Sequence, residues 1–166
     1  MSKPLNAFKH TIDKAYNQLA PTETLEKSKM PLRILIVDDE LRIHEVMDAY
    51  LKRFLDDFEL ISASNGQDAV TKAQDCVKQG HPPDFVLMDM KMPQMDGLEC
   101  TRALTSLGID NIHLLTAYFD AHSIKDAVDA GAKGVLKKSD GFAIVAKKVA
   151  DMVRGMNQPA PDPHRA

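Results

Sequence analysis

The sequence predicts an α/β domain: a parallel sheet with helices on both of its faces. Two observations carry this. RILIV at 33–37, DFVLMD at 84–89 and IHLLT at 112–116 are short, continuous apolar runs, the pattern of strands buried on both sides. Between them, apolar residues recur at three- and four-residue steps, which is the period of a helix. Strand and helix signals alternate along the chain, and that order builds βαβ units.

Each element can be justified in turn. The strand at 33–37 precedes a helix over 41–55, with Ile43, Val46, Met47, Tyr50, Leu51 and Phe54 on one face. A weaker strand, 59–63, leads to a helix over 66–79 whose stripe is Ala69, Val70, Ala73, Cys76 and Val77. The strand at 84–89 leads to a helix over 97–107, ended by Gly108. The strand at 112–116 leads to a helix over 120–130, with Gly131 at its C′ position. A last strand, 134–138, leads to a last helix, 142–156. Right-handed crossovers leave few topologies for five such units. The expected one is a doubly wound, flavodoxin-like sheet of five parallel strands in the order 2-1-3-4-5.

The flanking residues differ from this core. Leu5, Phe8, Ile12, Tyr16 and Leu19 suggest an amphipathic helix, and 21–31 reads as a polar linker. Residues 1–31 carry five Lys and three acids, whereas 32–156 carry 15 basic and 20 acidic residues. The tail, 157–166, has three prolines and no periodicity, and disorder is expected there. The chain of 166 residues has a net charge of −3, so no global basic field exists to hold nucleic acid. No apolar run approaches the roughly 18 residues of a membrane span, and no secretory signal is visible. Cys76 and Cys100 lack metal-ligand spacing and agree with a reducing, cytoplasmic setting.

The polar residues that stand out share one edge of the predicted sheet. Asp38 and Asp39 follow the first strand, Asp89 closes the third, Thr116 the fourth, and Lys137 and Lys138 the fifth. Ligands of open α/β sheets bind at the carboxyl ends of the strands, where the strand order reverses. That point lies between the first and third strands, so Asp38, Asp39 and Asp89 should converge. Three carboxylates at close range need a counter-charge. An all-oxygen set favours Mg²⁺, with Mn²⁺ as a second choice, over zinc. With a Lys ammonium and a Thr hydroxyl opposite, the set suits phosphoryl transfer to Asp89 as nucleophile.

Each residue also has a plainer reading. An Asp at a strand end is often only a helix N-cap. Thr116 alone would be a loop hydroxyl, Lys137 a solvated charge, and His113 a core or edge residue. Met88, Met90, Met92 and Met95 suit gap filling better than copper. It is the coincidence of Asp38, Asp39, Asp89, Thr116 and Lys138 at one edge that favours a site.

RILIVDDE, DFVLMDMKMPQMDGLE, HLLTA and AGAKGVLKK resemble the receiver domain of two-component response regulators, over residues 32–156. The resemblance implies phosphorylation of Asp89 by a histidine kinase or histidine phosphotransfer protein. It implies a metal held by Asp38, Asp39, Asp89 and the backbone carbonyl of Lys91. Thr116 falls at the family's hydroxyl position. Spacing from AGAKG puts the family lysine at Lys138, with Lys137 as the neighbouring alternative. Two departures stand out: Ser139 replaces the usual Pro, and Val135 replaces the aromatic switch residue, leaving Tyr118 or Phe119 as substitute rings. The expected function is a phosphoaccepting module that is not a separate enzyme and has no DNA-binding domain. Its output would come through an unknown protein bound by a surface on the fourth helix, fifth strand and fifth helix. The alternatives are a phosphate-independent interaction module, or a phosphatase, against which Lys91 counts because a second carboxylate is needed there.

Overall fold

In the computed structural model, the described residues are 30–156. The expected N-terminal helix, most of the linker and the 157–166 tail lie outside them. Five parallel strands, β1 (Leu32–Val37), β2 (Phe58–Ala63), β3 (Phe85–Asp89), β4 (Ile112–Thr116) and β5 (Gly134–Lys137), form one sheet in the order β2-β1-β3-β4-β5. The connecting helices are α1 (Leu41–Leu51), α2 (Gly66–Lys78), α3 (Gly97–Ser106), α4 (Ala121–Ala130) and α5 (Phe142–Met156). This is the flavodoxin-like arrangement that the sequence predicts.

The pleat divides the core in two. Leu35, Val37, Val86, Met88, Ile112 and Leu114 pack against Ala69 and Ala73 of α2, Cys100 and Leu104 of α3, and Ala127 of α4. Their strand neighbours Ile34, Ile36, Phe85, Leu87 and Leu115 face Ile43, Met47 and Leu51 of α1, and Val145, Val149 and Val153 of α5. Alternate residues of a strand point to opposite faces, so continuous apolar runs are what a sheet covered on both sides demands. Both thiols are free and buried, and burial pushes the Cys100 thiol up to about 12.

Two differences in element ends bear on the core and the site, while the other ends lie within one residue of the sequence reading. The helix expected over 41–55 stops at Leu51, yet Phe54 and Leu55 still pack against the α1–α5 side of the core. Apolar periodicity therefore outlasts the helix, because the chain stays on the same surface after its last helical turn. The last strand ends at Lys137, and Lys138 opens a short 3₁₀ turn, Lys138–Asp140.

Three helix starts are capped by side chains other than the candidate site aspartates. Asn65 accepts from the Asp68 N–H, Asp96 forms a reciprocal capping box with Glu99, and Asp120 accepts from the Ser123 N–H. Helix α1 has Glu40 at its N-cap position, with no side-chain cap. Asp38 and Asp39 are thus not helix caps.

His113 is a buried imidazole in β4, stacked on Phe85 with ring centroids 4.7 Å apart. It fits only because its β5 neighbour is glycine: a Cβ on Gly134 would lie 2.9 Å from the ring. Burial, with a smaller push from Lys133, holds the His113 pKa below its ordinary value of 6.5. Between the lowered value and 6.5 the unfolded chain binds more protons than the folded one, so stability must rise with pH across that window. We expect stability to fall as pH drops below 6.5. Urea denaturation at several pH values should show this slope diminished in His113→Leu; an unchanged slope would contradict the assignment.

Candidate functional site

Strand register brings the polar residues together. Val37 pairs with Met88, so the residues that follow, Asp38 and Asp89, leave adjacent strands at the same level. Asp89 pairs with Leu115, and Thr116 with Lys137, which puts Thr116 and Lys138 on the same sheet edge. Carboxylate oxygens of Asp38, Asp39 and Asp89 lie within 4.8 Å of one another. Asp38 and Asp89 are buried, and Asp39 is exposed.

A single ammonium binds this group. Lys138 Nζ lies 3.1 Å from Asp38 Oδ2 and 3.2 Å from Asp89 Oδ1. The other Asp38 oxygen accepts the Glu40 N–H at 2.9 Å. Burial pushes the Asp89 carboxyl above its ordinary range; Lys138 pulls it back, Asp38 adds to the rise, and the Lys91 N–H favours the charged form. Burial also works against the Lys138 ammonium, but Asp89 and Asp38 outweigh it and hold its pKa above the ordinary value.

The two adjacent lysines part company. Lys138 enters the carboxylate cluster, while Lys137 turns away and sets its Nζ 4.3 Å from the Phe119 ring centroid. The Thr116 hydroxyl is buried and faces Tyr118: it accepts the Tyr118 N–H at 3.0 Å and donates to the Tyr118 carbonyl at 2.9 Å. A cleft of about 290 Å³ is lined by Asp39, Asp89, Lys91, Thr116, Tyr118 and Lys138, among others. The Lys91 ammonium sits 4.4 Å from the Tyr118 ring centroid. Val135 lies apart from these groups, half-buried against the α2–α4 side of the core.

Two supporting residues escaped the sequence reading. His44 is buried, and its Nε2 is 2.7 Å from the Asp38 carbonyl oxygen, which fixes the chain at the cluster. Its spacing from Met47 and Leu51, at i, i+3 and i+7, places it on the inner stripe of α1 and was a usable signal. Gly97 is the other. A Cβ there would lie 2.3 Å from the Asp89 carbonyl oxygen and 2.8 Å from Met90 Cα. Only glycine lets α3 start so close to the end of β3.

Chemically, the edge offers two buried carboxylates, an exposed third, an ammonium that balances part of their charge, and a hydroxyl. The donor set is all oxygen and clustered, which fits a hard divalent cation. The family model for the response regulator receiver domain matches residues 34–150. The chain belongs to that family. The transcriptional regulatory protein PdtaR of Mycobacterium tuberculosis is 36% identical over 110 residues, 66% of this chain and 50% of the relative. LnrK of Bacillus subtilis is 33% identical over 126 residues, 75% of this chain and 54% of the relative. This chain thus spans about half the length of these curated relatives. Among solved structures, the chemotaxis protein CheY4 of Vibrio cholerae aligns with a TM-score of 0.62 at 25% identity, covering 73% of this chain and 98% of that one. CheY in the CheX–CheY–BeF3–Mg complex of Borrelia burgdorferi aligns at 0.64 and 25%, covering 76% and 92%.

This receiver is therefore a two-component signalling domain. Receivers interact with histidine kinases or phosphotransfer proteins and bind Mg²⁺ at an acidic pocket; response regulators are generally not enzymes in the usual sense. No helix among the described residues is long and apolar enough to cross a membrane.

Gly97 yields a test of how the site is held. The clash in Gly97→Ala is with backbone, which cannot rotate aside. We expect a loss of about 3 kcal/mol in urea denaturation, together with weaker Mg²⁺ binding. A wild-type denaturation midpoint would show that α3 can shift without disturbing Asp89.

Proposed function

We propose that this receiver takes a phosphoryl group onto Asp89, with Mg²⁺ as cofactor, and signals by binding a protein partner through a surface that phosphorylation alters. The observation that carries the reading is the gathering of the Asp38, Asp39 and Asp89 carboxylates within 4.8 Å, with Lys138 bridging Asp38 and Asp89. The donor is a phosphohistidine on a kinase or phosphotransfer protein. An Asp89 carboxylate oxygen forms a bond to phosphorus as the phosphorus–nitrogen bond of the donor breaks. The departing imidazole, protonated on its other ring nitrogen, keeps that electron pair and leaves as neutral histidine.

The residues divide the work. Asp89 must be ionised to attack, and Lys138 favours that form against the burial that opposes it. The same ammonium then faces the phosphoryl oxygens and offsets their charge. Asp38, Asp39 and Asp89 would hold the metal, with the Lys91 carbonyl as the family resemblance implies. When bound, the ion supplies positive charge beside the transferring group. Thr116 turns its hydroxyl from the Tyr118 carbonyl to a phosphoryl oxygen. Every residue given a role here lies within 32–156, the segment expected from sequence to form the receiver.

The test is incubation of the full chain with acetyl phosphate and Mg²⁺, followed by intact mass. We expect one added phosphoryl group on wild type, none on Asp89→Asn, and none when the metal is chelated. Lys138→Met should label more slowly, on the order of a hundredfold, for loss of one preorganised electrostatic partner. Labelling of Asp89→Asn to wild-type extent would overturn the choice of acceptor. No labelling of wild type would favour a phosphate-independent module, the alternative that Val135 leaves open.

A further inference from the structure

We infer that Lys91 and Tyr118 form a latch across the mouth of the cleft, that phosphorylation of Asp89 opens it, and that Tyr118 thereby carries the signal in place of a ring on β5. This rests on the reading of Asp89 as the phosphoacceptor. The starting point is what β5 lacks. Val135 is β-branched, half-buried and packed into the core, so it has few rotamers and no ring to move.

The loop after β4 does carry rings, two in succession, and each is capped by an ammonium from a different element. Lys91, after β3, covers Tyr118 at 4.4 Å; Lys137, at the end of β5, covers Phe119 at 4.3 Å. Tyr118 is 62% exposed, so burial does not fix it. Its restraints are the Lys91 ammonium on the ring and the Thr116 hydroxyl on the backbone, at both its N–H and its carbonyl.

Both restraints come from residues that line the cleft with Asp89, whereas Lys137 is not among those lining it. A phosphoryl group on Asp89 brings a charge of about −1.5 to −2 and three acceptor oxygens. The Thr116 hydroxyl has one proton, and giving it to a phosphoryl oxygen withdraws it from the Tyr118 carbonyl. The Lys91 ammonium meets a full negative charge, a stronger attractor than the quadrupole of a ring. The same event thus takes away the ammonium on the Tyr118 ring and the hydroxyl bond to its carbonyl, keeps at most the bond from the Tyr118 N–H, and leaves Phe119 under Lys137. A two-state element responds only to differential interaction with its two states. Here that difference falls on Tyr118, with Phe119 as the fixed neighbour about which the loop turns.

The chain has three tyrosines, so meta-fluorotyrosine gives a fluorine NMR spectrum with one resonance each, and Tyr118→Phe assigns the relevant one. The experiment uses the full chain with Mg²⁺ and beryllofluoride as the phosphoryl stand-in; bound beryllofluoride gives its own fluorine signal in the same spectrum. We expect the Tyr118 resonance to move when beryllofluoride binds. In ligand-free Lys91→Met it should already stand more than halfway to that position, and in Lys91→Arg, which keeps a cation over the ring, at the wild-type one. A bound-beryllofluoride signal with an unmoved Tyr118 resonance would overturn the latch and leave the acceptor reading standing. Absence of that signal would overturn the acceptor reading, and the latch with it.

Discussion

Carboxylates crowded within 4.8 Å repel one another, and the rest of this receiver is arranged around the need to hold them there. Two unit charges about 4 Å apart interact by about 4 kcal/mol at the effective dielectric of a protein surface. Lys138 offsets part of that repulsion by contacting Asp38 and Asp89 together. It can do so because β5 ends at Lys137 and the chain turns immediately into a 3₁₀ segment. Gly97 lets α3 begin directly against Asp89, and His44 secures the Asp38 carbonyl from within α1. The remaining negative charge is what a bound cation would offset in the proposed site.

Most of the architecture was legible because the strands that carry the site are buried on both faces. RILIV, FVLMD and IHLLT leave no competing reading when helical periodicity stands on either side of each. The candidate site was legible for a related reason. In a parallel sheet, one edge collects every strand end, so Asp38, Asp89, Thr116 and Lys138 had to meet once the strands were placed. The helix end at Leu51 was not legible, because Phe54 and Leu55 remain in the core after the helical turns stop. Lys138 was preferred to Lys137 by its spacing from AGAKG, whereas the end of the last strand, one residue earlier than expected, was not legible because the pattern there is short.

What no sequence pattern revealed is how side chains pair across loops. The Thr116 hydroxyl is engaged by Tyr118 two residues along, and the caps of Lys91 on Tyr118 and Lys137 on Phe119 join three separate elements. His113 fits its buried position through a glycine on the neighbouring strand, a pairing fixed only by register. These contacts turn a charge cluster into a site whose occupation can be felt elsewhere. Asp89, the proposed acceptor, is buried at the end of a strand covered on both faces, while the rings that face outward lie on a loop held largely by polar and cation–ring contacts.

The central claim is that the carboxylate cluster is an electrostatic cost offset by a bound cation, and metal-dependent melting tests it directly. The melting temperature of the full chain would be followed against Mg²⁺, with NaCl matched for ionic strength as the control for screening. Binding to the folded state alone stabilises by about 2.7 kcal/mol at a hundredfold excess over the dissociation constant. The account predicts a saturable rise in melting temperature with Mg²⁺ beyond the salt control, and a much smaller rise for the Asp39→Asn, Asp89→Asn double variant. A wild-type response no larger than that of NaCl, or an equal Mg²⁺ response in the double variant, would contradict it.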